Sequence, residues 1–238
     1  MIITSKSNQK VKEFLELKKS KSDLYLVSGY HQVEMAKEAS LLEEIISTSF
    51  KENYSSFKQT LVSKEIIEKL SSNVTPTDII GVVRKKKEDK ENLGNKVLVL
   101  DTVQDPGNVG TLCRSALSFG YKDILLLEGC ASIYNDKTIS ASQGAIYKLN
   151  ILRCTKDECL ILLKDYQLIG SALHNSKDLS SFKLNKDKFA LFLGNEGQGM
   201  SKDLLEKMDI NLKIEILEID SLNVSVAGGI LMYELNRK

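Results

Sequence analysis

Short apolar runs alternate along the chain with stretches whose apolar positions recur every three or four residues. Residues 97–100 form an unbroken apolar run, the pattern of a strand covered on both faces, and Asp101 ends it. Val109, Leu112, Ala116 and Phe119 then share a helical stripe, with Gly120 a suitable stop after it. Between the two, Asp105-Pro106-Gly107-Asn108 predicts a tight turn, with the helix beginning near Asn108. Downstream, the pattern predicts strands at 123–127, 147–152, 168–171 and 189–193. It also predicts a short helix at 137–144 and a second, opened by a Thr155-to-Glu158 capping box, through Lys164. Residues 214–234 predict a strand, a turn and a C-terminal helix capped by Ser221, with Leu222, Val226, Gly229 and Tyr233 on one helical face.

The first third reads as a smaller unit. Helices are predicted at 8–18, with Val11, Phe14 and Leu15 inward, and at 31–39 and 63–70; strands fall at 24–27, 44–47, 61–62 and 78–83. Residues 84–95 carry no apolar side chain but Leu93 and read as a connector. The expected organisation is therefore a small α/β domain at 1–84, a linker at 85–95 and a larger domain at 96–238. In the larger domain, alternating strands and helices predict an α/β fold with a mainly parallel sheet and helices on both faces.

Composition narrows the class. With 238 residues and 42% hydrophobic content, the chain can bury a sizeable core. No apolar run approaches the roughly 18 residues of a membrane span, and the opening MIITSKSNQK turns polar at once, so a cytoplasmic protein with no membrane partner is expected. Cys113, Cys130, Cys154 and Cys159 have no paired spacing and no nearby histidine, which argues for buried thiols and against zinc or a disulfide framework. The net charge of +1 does not announce nucleic acid, although lysines crowd the start (Lys6, Lys10, Lys12, Lys18, Lys19, Lys21) and recur at 85–87. Arginine occurs only at 84, 114, 153 and 237, so Arg114 stands out as a planar fork for phosphate or carboxylate.

Three stretches carry candidate chemistry. The strand, turn and helix of 97–120 form the place where an open α/β sheet binds ligand, although most such connections hold nothing. In 191–201, LFLGNEGQGMS, a strand runs into Gly194, Gly197 and Gly199, which let backbone approach a ligand, and then into a helix with Ser201 at its cap. Its G-x-x-G-x-G spacing is not the dinucleotide fingerprint, which disfavours a nucleotide-dependent oxidoreductase. In 221–234, Asn223, Ser225, Gly228 and Gly229 are poor helix formers, as expected where a ligand or a second subunit packs closely, or where a terminal helix tolerates them.

Together, DPGNVGTLCRSALSFG, LFLGNEGQGMS and SLNVSVAGGILMYE resemble the three motifs of the SpoU (TrmH-type) class of SPOUT RNA methyltransferases, in order and at fitting separations. NDKTISASQGAIYKLNI is similar to the segment between the first two, and the N-terminal opening resembles the ribosomal-protein-L30e-like RNA-binding domain of members that modify ribosomal RNA. The resemblance implies S-adenosylmethionine as methyl donor, a ribose 2′-hydroxyl of structured RNA as acceptor, most plausibly in 23S ribosomal RNA, a homodimer, no metal and a C-terminal trefoil knot. Transfer RNA as substrate, or a non-catalytic RNA-binding role, are the alternatives. Carried over by position, Asn108, Arg114, Glu196, Ser221 and Asn223 would serve catalysis. Leu193, Gly194, Ile214, Leu222 and Asn223 would hold the donor.

The expected chemistry removes a hydroxyl proton as oxygen attacks methyl in line. His31 and His174 lie outside the three motifs, and guanidinium keeps its proton, so Arg114 is expected to grip RNA phosphate and stabilise the developing alkoxide. Three departures from the family pattern stand out: Ser140 where an arginine is common, Ile214-Glu215-Ile216 in place of Ile-Pro-Met, and Ser28 in place of an acid before Gly29.

Overall fold

The structure is a computed structural model that describes residues 2–18, 22–71 and 76–237. Lys19 and Lys21 of the N-terminal lysine group lie outside these. Two compact units emerge, Met1–Lys86 and Lys87–Lys238.

The first unit runs α1 (Gln9–Leu17), β1 (Leu24–Ser28), α2 (Tyr30–Glu38), β2 (Leu42–Ser47), β3 (Lys58–Leu61), α3 (Lys64–Leu70) and β4 (Ile79–Arg84). Its mixed sheet has the order β1-β4-β2-β3, antiparallel except for the β2–β3 pair. Val11 and Phe14 of α1 and Ile66, Ile67 and Leu70 of α3 pack on Leu26, Ile46, Ile80 and Val82 of the strands. Beside this core, the Glu44 carboxylate is held by Lys10 at 2.8 Å and Lys58 at 3.1 Å, and Thr60 also bonds to it. Burial pushes the Glu44 carboxyl up, but hydrogen bonds from Lys10, Thr60 and Lys58 outweigh it and hold the group below its ordinary 4.5. A depressed native pKa stabilises the fold above the unfolded value and loses that contribution as pH falls through the native one. Glu44→Gln is therefore expected to melt well below wild type near pH 7, with the gap closing as pH falls below the ordinary carboxyl value of 4.5. Thermal melts across that range check it; a constant gap would contradict the assignment.

The second unit continues with β5 (Lys96–Leu100), α4 (Pro106–Ser118), β6 (Asp123–Leu126), α5 (Asp136–Ser142), α6 (Ala145–Lys148), β7 (Asn150–Arg153) and α7 (Lys156–Leu162). After these come β8 (Gln167–Ser171), β9 (Lys177–Asp178), β10 (Phe189–Leu193), α8 (Lys202–Leu205), β11 (Ile210–Lys213) and α9 (Val224–Leu235). The strands form one sheet, ordered β7-β6-β5-β10-β8-β11-β9, and every pairing is parallel. From β5 the chain moves to β6 on one side, whereas β10 enters on the other, so the β5/β10 boundary is a topological switch point. No helix among the described residues is long and apolar enough to cross a membrane.

Four sequence expectations change. Asp105-Pro106-Gly107-Asn108 is not a separate turn: Asp105 is the N-cap of α4, its carboxylate accepting from the Asn108 amide at 3.0 Å, and Pro106 occupies the first helical position, where a missing N–H costs nothing. The strand expected at 147–152 begins only at Asn150, because 145–148 wind into the short helix α6. The last strand ends at Lys213, before Ile214, and α9 is capped by Asn223, whose side chain accepts from the Ser225 amide at 2.9 Å, not by Ser221. The connector is also shorter than expected. Asn150 exchanges two hydrogen bonds with the Asp89 backbone, the Gly94 amide donates to Asp123, the Tyr166 hydroxyl donates to the Gly94 carbonyl, and Leu93 packs on the core.

All four cysteines are buried and free. Burial pushes the Cys113 thiol up to about 12 and the Cys130 thiol up to about 11, so both stay protonated.

Candidate active site

The loops after β5, β10 and β11 meet at the switch point. Asp101, fully buried at the end of β5, accepts from the Ser201 amide at 2.9 Å and from its hydroxyl at 2.7 Å. Ser201 thus stands at the α8 N-cap, yet spends its side chain on β5 instead of capping the helix. The Asn195 side-chain amide donates to the Thr102 carbonyl at 2.9 Å, while its oxygen accepts from the Gly197 and Gln198 amides. Paired bonds between Asn195 and Gly199, both 2.9 Å, close the loop.

This closure explains Gly194. A Cβ there would lie 2.1 Å from the Met200 nitrogen and 2.2 Å from the Gly199 carbonyl carbon, so its bareness serves the loop's own backbone. Gly228 is a softer case, since a Cβ there would meet only side-chain methyls, Leu112 at 2.5 Å and Leu193 at 2.6 Å, which could shift where α9 packs against α4 and β10.

A hydrogen-bonded chain spans the loops. The Asn108 amide donates to Glu196 Oε1 at 3.0 Å, and the Asn108 oxygen accepts from the Asn223 amide, also at 3.0 Å. The backbone N–H of Asp105 donates to the same Glu196 oxygen at 3.4 Å, and Lys137 Nζ pairs with Asp105 Oδ2 at 2.7 Å. Burial pushes the Glu196 carboxyl up, but hydrogen bonds from Asn108 and from the backbone at Glu196, Asp105 and Gln104 hold it below the ordinary range. Lys137, and then the Asn108 amide, do the same for Asp105. Both carboxylates are therefore ionised at neutral pH.

Beside this chain lies a cavity of about 460 Å³. Leu193, Gly194, Ile214 and Leu222 line it, as do Glu196 and Ser221. Asn108, Asn223 and Arg114 do not; the first two form the bonded chain at its edge, and Arg114 is exposed nearly two turns further along α4. Among the described residues its guanidinium has no side-chain partner. His174, set aside on sequence because it lies outside the motifs, also lines the cavity. Its place after β8 carries no local signal. Lys137 and Asp105 were likewise not singled out as site residues, although the Asp-Pro pair is a helix-start signal.

Comparison with known proteins bears on this arrangement directly. The family model described as SpoU rRNA Methylase matches residues 95–233, the whole region that builds the three loops. The chain belongs to the SpoU rRNA methylase family. It is 34% identical to the Bacillus subtilis protein named 23S rRNA (guanosine(2553)-2′-O)-methyltransferase RlmP, over 98% of each chain. A solved structure described as an RNA 2′-O ribose methyltransferase superposes with a TM-score of 0.84 at 26% identity, covering 100% of this chain and 98% of that one. An AdoMet-bound rRNA methyltransferase from Sinorhizobium meliloti shares the fold, with a TM-score of 0.88 at 21% identity over 100% and 97% of the two chains. In this family member the bonded side chains come from segments about 90 to 115 residues apart, so the bonded chain exists only in the folded protein.

The cavity suits the methyl donor that the family uses. Its volume is within the roughly 300–1,000 Å³ of small-ligand clefts. Leu173, Leu193 and Val224 give it apolar walls for an aromatic base, and Glu196 and Asp220 supply carboxylates for a cationic end.

Proposed function

We propose that this protein transfers the methyl group of S-adenosylmethionine to a ribose 2′-hydroxyl in 23S ribosomal RNA, in the cytoplasm and as a homodimer. The observation that carries the reading is the Glu196–Asn108–Asn223 chain at the edge of a donor-sized cavity. The RlmP relative supports ribosomal RNA over transfer RNA, because its similarity extends through both units. On this reading the first unit is the RNA-holding domain.

When bound, the donor supplies an electrophilic methyl group on a sulfonium sulfur. The chain's own residues bind and orient. Backbone at Gly194, Ile214 and Leu222 frames the donor, with Ser221 and Leu193 also on the cavity lining. Asn108, fixed at both ends by Glu196 and Asn223, presents a rigid polar edge to the ribose, which cuts the entropy cost of alignment. Arg114 grips an RNA phosphate as a planar fork and stabilises oxygen charge as the hydroxyl proton leaves.

The dimer reading rests on the outer side of α9. Val226, Ile230 and Tyr233 are 50%, 37% and 47% exposed, and Tyr233 meets Phe119 of α4 edge-on with ring centroids 5.7 Å apart. Gly229 lies on the same helix, and a Cβ there would only reach ordinary contact with Ser115 at 3.9 Å. The trefoil knot belongs to the same reading.

The test is transfer of labelled methyl to total RNA from cells lacking the protein, followed by nucleoside analysis. Wild type is expected to yield a 2′-O-methyl nucleoside in 23S RNA, and Arg114→Ala none above background. Donor binding without transfer to free RNA or ribosomal particles would overturn the assignment, and near-full turnover by Arg114→Lys would overturn the planar-fork role.

A further inference from the structure

The geometry points to Lys137 as an RNA-phosphate contact of the site, held in place by Asp105; this rests on the RNA methyltransferase reading above. The bonded chain is built around two carboxylates, Asp105 and Glu196, both kept ionised by their hydrogen bonds. An RNA backbone brought to Asn108 meets that negative charge first. Among the described residues, Lys137 is the one cation within hydrogen-bond distance of Asp105, Asn108, Glu196 or Asn223. Arg114 stands about 9 Å of helical rise from Asn108, and its guanidinium bonds to none of these four side chains.

Lys137 has capacity to spare. Its ammonium carries three N–H donors, and Asp105 takes one at 2.7 Å. The side chain is 63% exposed, so the remaining donors face solvent. Both anchors are rigid: Lys137 sits in the first turn of α5, where its amide donates to the Asn135 cap at 2.9 Å, and Asp105 is itself the α4 cap. As a surface ion pair alone, Lys137–Asp105 contributes little to stability. As a charge fixed beside Asn108, it places one phosphate of the substrate and sets the register of the target ribose.

The test compares wild type, Lys137→Gln, Lys137→Ala and Lys137→Arg. Methyl transfer to 23S RNA is measured against RNA concentration at several potassium chloride concentrations, with donor affinity measured calorimetrically without RNA. Glutamine keeps a hydrogen bond to Asp105 without the charge, so a purely structural tie predicts wild-type behaviour for that variant. A phosphate contact predicts instead that Lys137→Gln and Lys137→Ala both raise KM for RNA about 5- to 20-fold. It also predicts that both reduce the salt slope by about one. Donor affinity is expected to stay as in wild type, and Lys137→Arg to restore most of KM. Lys137→Gln with wild-type KM and salt slope would overturn the inference. If wild type transfers no methyl group, the function reading fails separately, and the salt slopes of RNA binding for wild type and Lys137→Gln still decide the contact.

Discussion

Gly194→Ala is expected to weaken S-adenosylmethionine binding at least about 100-fold and to cost about 3 kcal/mol of stability, at the upper end of overpacking penalties. The new methyl would lie 2.1 Å from the Met200 nitrogen, and the neighbours it strikes are backbone, which cannot rotate away. The 195–199 loop is tied to Thr102 and Asp101 through Asn195 and Ser201, so displacing it moves one wall of the cavity and the carboxylate of Glu196 together. Gly197→Ala, in the same loop and also on the cavity lining, is the control for stability. Its nearest neighbour would be Asn195 Oδ1 at 3.7 Å, ordinary contact, and its effect is expected within about 0.5 kcal/mol. Calorimetric titration and thermal melts of both variants separate the cases; a Gly194→Ala protein with wild-type donor affinity would show that the loop does not frame the donor.

Asn108 is expected to be the most sensitive polar side chain. Removing its amide in Asn108→Ala leaves Glu196 without its side-chain donor and Asn223 without its acceptor, and turnover should fall about 100- to 1,000-fold, as when a positioned hydrogen-bond donor is lost. Asn108→Asp is the more informative change. It keeps an acceptor for Asn223 but sets a second carboxylate about 3 Å from Glu196, and two carboxylates so close share a proton, which raises one pKa. As pH falls, the shared proton restores a donor between them. The ratio of wild-type to Asn108→Asp turnover is therefore expected to narrow from pH 8 toward pH 5, while the ratio to Asn108→Ala stays flat. Parallel profiles for the two variants would remove Glu196 from the role of partner to Asn108.

Much of this protein was legible along the chain. Apolar runs and helical stripes found β5, α4 and β10 because a parallel strand buried on both faces and an amphipathic helix leave periodic marks that depend on near neighbours alone. The same locality explains the misses. Ala145-Ile146-Tyr147 is a short buried apolar run, which periodicity cannot divide between strand and helix, and packing made it the turn α6. Ser221 and Asn223 are both good caps; only the path of the loop from β11 decided for Asn223, which then also reached Asn108.

The motifs marked where glycines and polar side chains concentrate, and the family resemblance supplied their order and meaning. They did not say what each residue touches. Gly194 reads as room for a ligand and lines the cavity, and its missing side chain also makes room for the Gly199 and Met200 backbone. Ser201 reads as a cap and stands at that position, but its hydroxyl serves as a strut to Asp101, 100 residues away. His174 carried no mark at all, because its place in the cavity is set by β8 pairing with β10 and β11, a parallel register with no short-range signature. The chain by itself determined most of the elements and the family; the tertiary structure decided the remaining element bounds and the partners, because hydrogen bonds between residues 88 to 115 positions apart form only once the parallel strands have brought their ends together.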